Sequence, residues 1–445
     1  MPVLKNNDAG TGRRPGWREY QQQSRRPRKV ITARRLVLTA MVIAAVFYAL
    51  FMGIAAPRPT EQPVAALPPP VAVTPAMTAD TLIGKSDVQL LLTQLPLADL
   101  MAKQVTLPVN DHRLQVTTSL DEALQERLLK GMDRRHSRFI GVVVMEADTG
   151  RVRAMAGFDK TDPDANPCLS NIFPAASLFK IVTAAAAVDQ CNYSGNTQLR
   201  FNGYKHTMYR NQLQETNNRY THTISFADAF AESVNPIFGK LGKINLGKAM
   251  LEQYGADFGF NRPIDFELSI PPSHLAVKET PYHWAEIASG FNRETTLSPL
   301  HAAMIISAAL NGGRMVIPTL VERIEDENGR LLYQADDAAW ADPSMSPKAA
   351  KVLTQIMETT VISGTARSLF RGWQRDPVLS GLRIGGKTGS ISTRDREARI
   401  DWFAGFAEPK KGAGRLVVAA LVAHEEYIGI RAGTYARTAM SHYYK

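Results

Sequence analysis

An uninterrupted apolar run near the amino terminus constrains this chain more than any other feature. The residues from Leu36 to Ala56 read LVLTAMVIAAVFYALFMGIAA and include no charged side chain. About 20 apolar residues in a helix match a bilayer core about 30 Å thick. A cleaved signal peptide has a shorter apolar region, although the small residues before Pro57 leave cleavage open as the alternative. We therefore expect a single transmembrane anchor at residues 36–56.

The charge of the chain is concentrated just before this run. Residues 1–35 hold ten lysines and arginines and two acidic residues, which accounts for +8 of the net charge of +10. The rest of the chain is nearly neutral, which argues against a nucleic-acid-binding surface. Because cations flank the cytoplasmic end of a membrane helix, we expect residues 1–35 inside the cytoplasm and the residues after Ala56 outside it.

The chain after the anchor divides into segments of different composition. Residues 57–80 contain seven prolines, which is typical of an extended spacer. Residues 81–114 begin with a helical apolar rhythm and are interpreted as a short packed arm. Residues 115–445 are long enough for one main domain with a sizeable core.

The main domain is predicted to mix helices with an antiparallel sheet. Ser119-Leu120-Asp121-Glu122 has the S-x-x-E pattern of a capping box and predicts a helix to about residue 135. The next segment predicts a hairpin that turns at Asp148-Thr149-Gly150. Helical and loop patterns dominate from about residue 174 to 364, and strand patterns return late, at 382–389, 401–407 and 415–423. Strands at both ends with helices between them predict an α+β domain, in which the first hairpin joins the late strands.

One candidate nucleophile lies in the segment FPAASLFKIVTAAAAVDQ. Pro174 can begin a helix, so Ser177 and Lys180 would lie one turn apart on one face. A neutral lysine can take the proton of a serine hydroxyl, and apolar neighbours disfavour the charged ammonium form. The pattern S-x-x-K is weak by itself, because a surface serine beside a solvated lysine produces it equally well.

Two further motifs follow along the chain. Ser233-Val234-Asn235 has the pattern S-x-N within a helical region, and Ser194-Gly195-Asn196 repeats that pattern in a turn-like segment. The stretch from Gly381 to Ser390, GLRIGGKTGS, contains K-T-G and also fits the phosphate-binding pattern G-x-x-x-x-G-K-[ST]. A phosphate-binding loop follows a buried strand and opens a helix, whereas this context predicts strand, turn and strand, so the nucleotide interpretation is disfavoured.

The three motifs in this order resemble the active-site motifs of the penicillin-binding transpeptidase family. The segments GVVVMEADTGRVRAMAG, YGADFGFNRPIDFELS, LSPLHAAMIISAALNGGRMVIPTLV, SGTAR and DWFAGFAEP resemble the family as well. The resemblance covers roughly residues 115–445. It implies the fold shared with serine β-lactamases, an antiparallel sheet with helices on both faces plus an all-helical subdomain, here preceded by the transmembrane helix.

The resemblance also implies roles for the first two motifs. Ser177 would be the acylated nucleophile and Lys180 its general base, and Ser233 would relay a proton to the leaving amine. Asn235 would hold Lys180 and the amide of the substrate.

The third motif would bind the substrate. Lys387 and Thr388 would take its terminal carboxylate, Gly389 would allow its backbone to approach, and Ser390 would contribute to binding. The main-chain N–H groups of Ser177 and Ser390 would form the oxyanion hole.

The implied function is a peptidoglycan D,D-transpeptidase in a bacterial cytoplasmic membrane. Its partners would be stem peptides ending in D-Ala-D-Ala, β-lactams, the membrane and a separate glycan polymerase, because the segment before the domain is too short for a glycosyltransferase. The segment 81–114 would be at most the remnant of the pedestal domain that relatives carry. The alternatives are a carboxypeptidase or β-lactamase of the same fold, or a non-catalytic sensor or scaffold.

Some features depart from the family or point to other chemistry. Gly290-Phe291-Asn292 replaces a turn of the G-Q-G type. No zinc or cofactor motif is present, so we expect neither a metal nor a cofactor. Cys168 and Cys191 would lie outside the cytoplasm, where a disulfide between them is favoured over two buried thiols.

Overall fold

The computed structural model of the chain describes residues 84–93, 99–109, 112–393 and 397–445. Its strands are Gln104–Val109 (β1), His112–Thr118 (β2), Ser137–Glu146 (β3), Val152–Asp159 (β4), Gln198–Asn202 (β5), Thr221–Ser225 (β6), Arg314–Val316 (β7), Val321–Glu325 (β8), Leu331–Gln334 (β9), Trp340–Pro343 (β10), Leu382–Ser392 (β11), Arg399–Pro409 (β12) and Leu416–His424 (β13). Its α-helices are Lys85–Leu92 (α1), Glu122–Lys130 (α2), Lys180–Cys191 (α3), Phe226–Ala231 (α4), Asn235–Lys240 (α5), Gly247–Asp257 (α6), Pro281–Ser289 (α7), Pro299–Leu310 (α8), Pro347–Ile362 (α9) and Ala432–Tyr443 (α10).

The largest sheet joins strands from both ends of the domain. Its order is β11-β12-β13-β3-β4, and every neighbouring pair is antiparallel. β3 and β4 form the predicted hairpin, whose turn contains Gly150 with a φ of 77°. The predicted α+β class, and the joining of the first hairpin to the late strands, are therefore confirmed. β11 lies at the edge of this sheet, so one side of its backbone is open.

Helices cover both faces of the sheet, as predicted. All nine residues of β13 are buried. Val418 and Val422 belong to the cluster that includes residues of α2 and α10, whereas Ala419 and Leu421 belong to the cluster that includes residues of α8. Successive side chains of a strand point to opposite faces, so a strand that is apolar at every position lies between two layers.

The subdomain predicted to be all-helical also contains a strand pair. Helices α3 to α7 form most of it, and α3 is buried at every position from Lys180 to Val188. β5 and β6 pair from Gln198↔Ser225 to Asn202↔Thr221, so the prediction of helices alone is wrong. This segment is polar and largely exposed, and its backbone groups are satisfied by pairing with each other.

A second sheet takes the place of much of the predicted arm. β1 and β2 pair with each other, and β2 continues the sheet to β8 and β9. The boundary predicted between residues 114 and 115 falls inside β2, so residues of the predicted arm share this sheet with β8 and β9 of the main domain. α1 contributes Val88, Leu91 and Leu92 to the main core, and Lys85 Nζ donates a hydrogen bond to the carbonyl of Pro318 at 2.9 Å.

The helix predicted from Ser119 is shorter and has a different cap. α2 begins at Glu122, and the side chain of Asp121 accepts a hydrogen bond from the N–H of Leu124 at 3.0 Å. Ser119 is buried, and its hydroxyl donates to the carbonyl of Val152 at 2.8 Å. The predicted capping box is wrong because a contact with β4 engages the hydroxyl that would have capped the helix.

The two cysteines are free thiols, so the predicted disulfide is not formed. Cys168 is buried beside β4, where its Sγ donates to the carbonyl oxygen of Ala156 at 3.3 Å. Cys191 ends α3, about 16 Å along the helix from Lys180. The Cys168 thiol is thus engaged by β4, and burial raises its pKa, which makes it unreactive.

The predicted tail, anchor and spacer, residues 1–35, 36–56 and 57–80, lie outside the described residues. Within the described ranges, no helix is long and apolar enough to cross a membrane. The anchor therefore stays a prediction from the sequence.

Candidate active site

Ser177 lies immediately before a deeply buried helix. Ala176–Phe179 form a 3-10 turn that continues into α3 at Lys180, where the sequence predicted one continuous helix from Pro174. Ala176 has a φ of 48°, and a non-glycine residue in this region stores about 1–3 kcal/mol of strain. The turn places Ser177 at the positive end of the helix dipole, which favours negative charge on its oxygen.

Burial determines the charge of Lys180. Loss of solvation lowers the pKa of its amine well below the ordinary value, and the charge of Lys387 lowers it further. Its Nζ contacts Asn235 Oδ1 at 2.8 Å, the main-chain oxygen of Ser289, and Ser177 Oγ at 2.9 Å. The first two oxygens only accept, so they take both N–H groups of a neutral amine. The lone pair of the amine is then left for the hydroxyl hydrogen of Ser177.

The second motif occupies the turn between α4 and α5. Ser233 has a φ of 56°, and Asn235 is the first residue of α5. Ser233 Oγ donates to Ser177 Oγ at 3.0 Å. Asn235 Nδ2 donates to the main-chain oxygen of His206 at 3.2 Å, which leaves the Oδ1 of the same amide for Lys180. The turn thus brings both polar side chains of the motif to the Ser177–Lys180 pair.

Lys387-Thr388-Gly389 lies within β11. All three residues pair with β12, so the segment is a strand and does not open a helix as a phosphate-binding loop does. The geometry therefore excludes the nucleotide interpretation. Lys387 is buried, its Nζ donates to Ser233 Oγ at 3.0 Å, and burial lowers the pKa of its amine to about 7.

Gly389 lets β11 pass close to the turn that carries the serine. A Cβ at this position would lie 3.3 Å from the Cβ of Ala176 and 3.4 Å from the main-chain nitrogen of Ser177. On the neighbouring strand, Trp402 Nε1 donates to the carbonyl of Pro174 at 2.9 Å. The sheet therefore holds the turn at two points.

The three motifs line a single cleft of about 500 Å³. The predicted site residues in its wall are Ser177, Ser233, Asn235, Thr388, Gly389 and Ser390. Lys180 and Lys387 are buried behind this wall. The Nζ of Lys180 contacts the hydroxyl of Ser177, and the Nζ of Lys387 contacts the hydroxyl of Ser233. The structure thus brings together all the residues that the three motifs predicted.

The sequence interpretation missed other residues of the cleft. Thr365 lines it, and its Oγ1 lies 2.5 Å from that of Thr388. The segment SGTAR, which matched the family, was the available signal for this threonine. His206 also lines the cleft, and burial together with the positive charges of Lys387 and Lys205 lowers the pKa of its imidazole. No sequence motif pointed to His206, because a single histidine in a polar loop matches no family segment.

The remaining candidate motifs lie outside the cleft wall. The exposed turn at Ser194 contains a bond from its N–H to Thr197 Oγ1 at 2.9 Å, so the second S-x-N pattern is a local turn. His424 ends β13 and is buried 3.7 Å from a carboxylate oxygen of Asp401. Over the described part of the chain, no group of three or more His, Cys, Asp or Glu side chains could hold a metal ion.

Known proteins resemble this domain in sequence. The family model of the penicillin binding protein transpeptidase domain matches residues 140–441. The chain is 23% identical over 299 residues to stage V sporulation protein D of Bacillus subtilis (strain 168), which covers 63% of this chain and 44% of that protein. It is also 23% identical over 320 residues to peptidoglycan D,D-transpeptidase PbpA of Mycolicibacterium smegmatis (strain ATCC 700084 / mc(2)155). That match covers 62% of this chain and 61% of the relative. The matches thus span less than two thirds of either relative.

A solved structure shares the fold. The crystal structure of PBPA from Mycobacterium tuberculosis superposes with a TM-score of 0.60 at 21% identity, covering 73% of this chain and 81% of that one. The family model alone matches more than half of the chain, across all three motifs. The chain therefore belongs to the penicillin-binding protein transpeptidase-domain family.

Proposed function

We propose that this chain is a peptidoglycan D,D-transpeptidase that acylates Ser177 with a stem peptide ending in D-Ala-D-Ala. The observation that carries the proposal is the position of Ser177 Oγ, 2.9 Å from Lys180 Nζ and 3.0 Å from Ser233 Oγ. One hydroxyl thus has both a base and a proton relay as neighbours. The name of the PbpA relative supports the same reaction.

In the acylation step, the neutral amine of Lys180 takes the hydroxyl proton of Ser177. At the same time Oγ forms a bond to the carbonyl carbon of the penultimate D-alanine. Such a general base is typically worth about 10²–10⁴ in rate. The negative charge that develops on the carbonyl oxygen is stabilised by the proposed oxyanion hole, the main-chain N–H groups of Ser177 and Ser390.

The peptide C–N bond then breaks, and the terminal D-alanine leaves as an amine that needs a proton. Ser233, whose Oγ lies 3.0 Å from both Ser177 Oγ and Lys387 Nζ, donates its hydroxyl proton to this amine and receives in its place the proton that Lys180 took from Ser177, so Lys180 is neutral again. Asn235 holds Lys180 through its Oδ1 and offers the same side-chain amide to the substrate. The acyl-enzyme ester is resolved when the amine of a neighbouring stem peptide attacks it, which forms the cross-link and returns a proton to Ser177.

The terminal carboxylate of the substrate binds at the third motif. Lys387 provides positive charge, and the hydroxyls of Thr388 and Thr365, 2.5 Å apart, provide hydrogen bonds. Gly389 leaves room for the substrate backbone beside β11. β-Lactams react in the same way, but their amine stays tethered after the ring opens. Penicillin-binding protein A of M. tuberculosis has been solved as an imipenem acyl-enzyme complex, which supports this expectation.

We further propose the setting that the sequence predicts. Residues 36–56 anchor the enzyme in the bacterial cytoplasmic membrane, residues 1–35 lie in the cytoplasm, and residues 57–80 act as the spacer to a catalytic domain outside. A separate glycan polymerase supplies the strands that the enzyme cross-links.

The decisive experiment follows a fluorescent penicillin on the full chain. We expect stable label on the wild type, none on Ser177→Ala, and normal label on Ser194→Ala, which removes the serine of the second S-x-N pattern in the exposed turn. Release of D-alanine with a cross-linked product on addition of an amine acceptor then identifies a transpeptidase. Release without any cross-link identifies a carboxypeptidase, rapid loss of label a β-lactamase, and label without turnover a sensor. Failure of folded wild type to take up label would contradict the proposal.

A further inference from the structure

Two arginines extend the cleft beyond the residues that the proposed reaction uses. Arg293 and Arg399 both belong to its wall. Arg293 Nε donates to the main-chain oxygen of Ser392 at 2.7 Å, and Arg399 Nε donates to Ser390 Oγ at 2.8 Å. Both guanidinium groups are therefore held at the carboxyl end of β11, beyond Gly389.

The charge of these two arginines is not balanced within the cleft. No aspartate or glutamate is among the described residues that line it. A third arginine in the wall, Arg431, differs because its Nε and Nη2 donate to the two carboxylate oxygens of Asp401 at 2.9 and 2.7 Å. Arg293 and Arg399 instead donate to neutral oxygens, which leave their positive charge intact. A bound anion would be attracted to this end of the cleft.

The direction of β11 identifies which part of a donor peptide would meet these arginines. β11 is an edge strand, and an extended peptide can add to such an edge. A peptide whose terminal carboxylate binds at Thr388 and whose reacting carbonyl lies beside Ser390 runs antiparallel to the strand. Because each residue of an extended chain advances about 3.3 Å, the residue before the D-alanine pair lies toward Ser392, at the end of β11 where both arginines donate.

We infer that Arg293 and Arg399 bind a second carboxylate of the donor, carried by the side chain of the residue that precedes D-Ala-D-Ala. This inference rests on the proposed function and defines its substrate class, a stem peptide with an acidic side-chain group at that position. A guanidinium group suits this role because it stays charged and offers paired donors to a planar carboxylate. The terminal carboxylate is bound separately, at Lys387 and Thr388.

Two penicillins provide a matched test on the full chain. α-Carboxybenzylpenicillin differs from benzylpenicillin by one carboxylate on the side chain, which takes the place of the preceding residue. The measured quantity is the ratio of their second-order rate constants for acylation of Ser177. We expect the Arg293→Gln/Arg399→Gln double variant to lower this ratio about tenfold, as for loss of a charge-assisted hydrogen bond. The Arg293→Lys/Arg399→Lys variant, which keeps the charge, should retain part of the preference, and Arg323→Gln, on β8, should leave the ratio as in the wild type.

Peptide donors give a second measurement with the reaction itself. Acetyl-Glu-D-Ala-D-Ala and acetyl-Gln-D-Ala-D-Ala have side chains of almost the same shape and differ in charge. We expect the wild type to release D-alanine faster from the glutamate peptide, with a preference that weakens as salt is added and is lost in the double glutamine variant.

The outcomes separate this inference from the function on which it rests. If folded wild type reacts with neither penicillin, the proposed function fails. If it reacts with both and the ratio is the same in the double glutamine variant, only the second carboxylate site is overturned. An equal loss for both penicillins would also overturn it, because the arginines would then support the shape of the cleft and not recognise the extra charge.

Discussion

At the scale of the residue, the site depends on two buried lysines in different charge states. Lys180 is surrounded by acceptors that satisfy a neutral amine, and its pKa is lowered well below the ordinary value. Lys387, with a pKa lowered to about 7, can still carry a proton near neutral pH. Their Nζ atoms lie 5.6 Å and 5.5 Å from the ring centres of Phe238 and Phe230, which offsets part of the lost solvation of a cation. One lysine is thus suited to remove a proton and the other to bind a carboxylate.

This difference predicts a falling alkaline limb in the pH profile of acylation. The rate constant for benzylpenicillin should decline by up to about tenfold per pH unit above about pH 7, because Lys387 loses the charge that we propose binds the carboxylate. In Lys387→Arg the guanidinium stays protonated, so the decline should disappear or move to much higher pH. Stopped-flow acylation between pH 5 and 10 measures both profiles. The same decline in the arginine variant would assign it to another group.

At the scale of the element, the serine is positioned where α7, the 3-10 turn and β11 meet. α7 ends at Ser289, whose carbonyl accepts from Lys180. The next residue, Gly290, has a φ of 65°, and a Cβ there would lie 1.8 Å from the main-chain oxygen of Ala176. The backbone of Gly290 therefore packs directly against Ala176, the strained residue that precedes Ser177. The end of one helix therefore holds both the proposed base, Lys180, and the backbone next to the proposed nucleophile, Ser177.

Substitution of this glycine tests the contact. Gly290→Ala should lower thermal stability and reduce penicillin acylation by about 10²-fold, the order of loss caused by a displacement of about 1 Å. Gly312→Ala is the matched control, since Gly312 has a φ of 63° but nothing within 4 Å of a Cβ. Both variants incur the backbone cost of about 1–2 kcal/mol, and only the first displaces the turn. Equal loss of acylation in the two variants would contradict this account of Gly290.

At the scale of the whole molecule, the site lowers the stability of the fold at neutral and acidic pH. The pKa of Lys387 falls from 10.5 to about 7 on folding, so the unfolded chain binds the proton more tightly. Between these two values the unfolded state holds more protons, and the free energy of unfolding must rise with pH. Below about pH 7 both states are protonated and the full destabilisation is present. Burial of Lys387 thus lowers the free energy of unfolding and provides a cation at the cleft.

A methionine in place of Lys387 should remove this pH dependence. Lys387→Met is expected to be more stable than the wild type at pH 7, and to lose part of the rise in stability between pH 7 and 10, which is at most about 1.4 kcal/mol per pH unit for one proton. Urea denaturation at several pH values measures the slopes. Parallel slopes for the two proteins would show that Lys387 does not titrate in this window.

The sequence by itself determined the three motifs, their order and the joining of the first hairpin to the late strands, because motifs and apolar periodicity are local properties of the chain. Only the tertiary structure decided the rest. The carbonyl of Ser289 accepts from Lys180, which is 109 residues away, and the hydroxyl of Thr365 donates to the carbonyl of Ala231, which is 134 residues away. Ser119 caps no helix because its hydroxyl donates to the carbonyl of Val152 in β4, and the Sγ of Cys168 donates to the carbonyl of Ala156 in the same strand. In each case the outcome depended on which distant groups burial brought within hydrogen-bonding distance, and no local pattern encodes that choice.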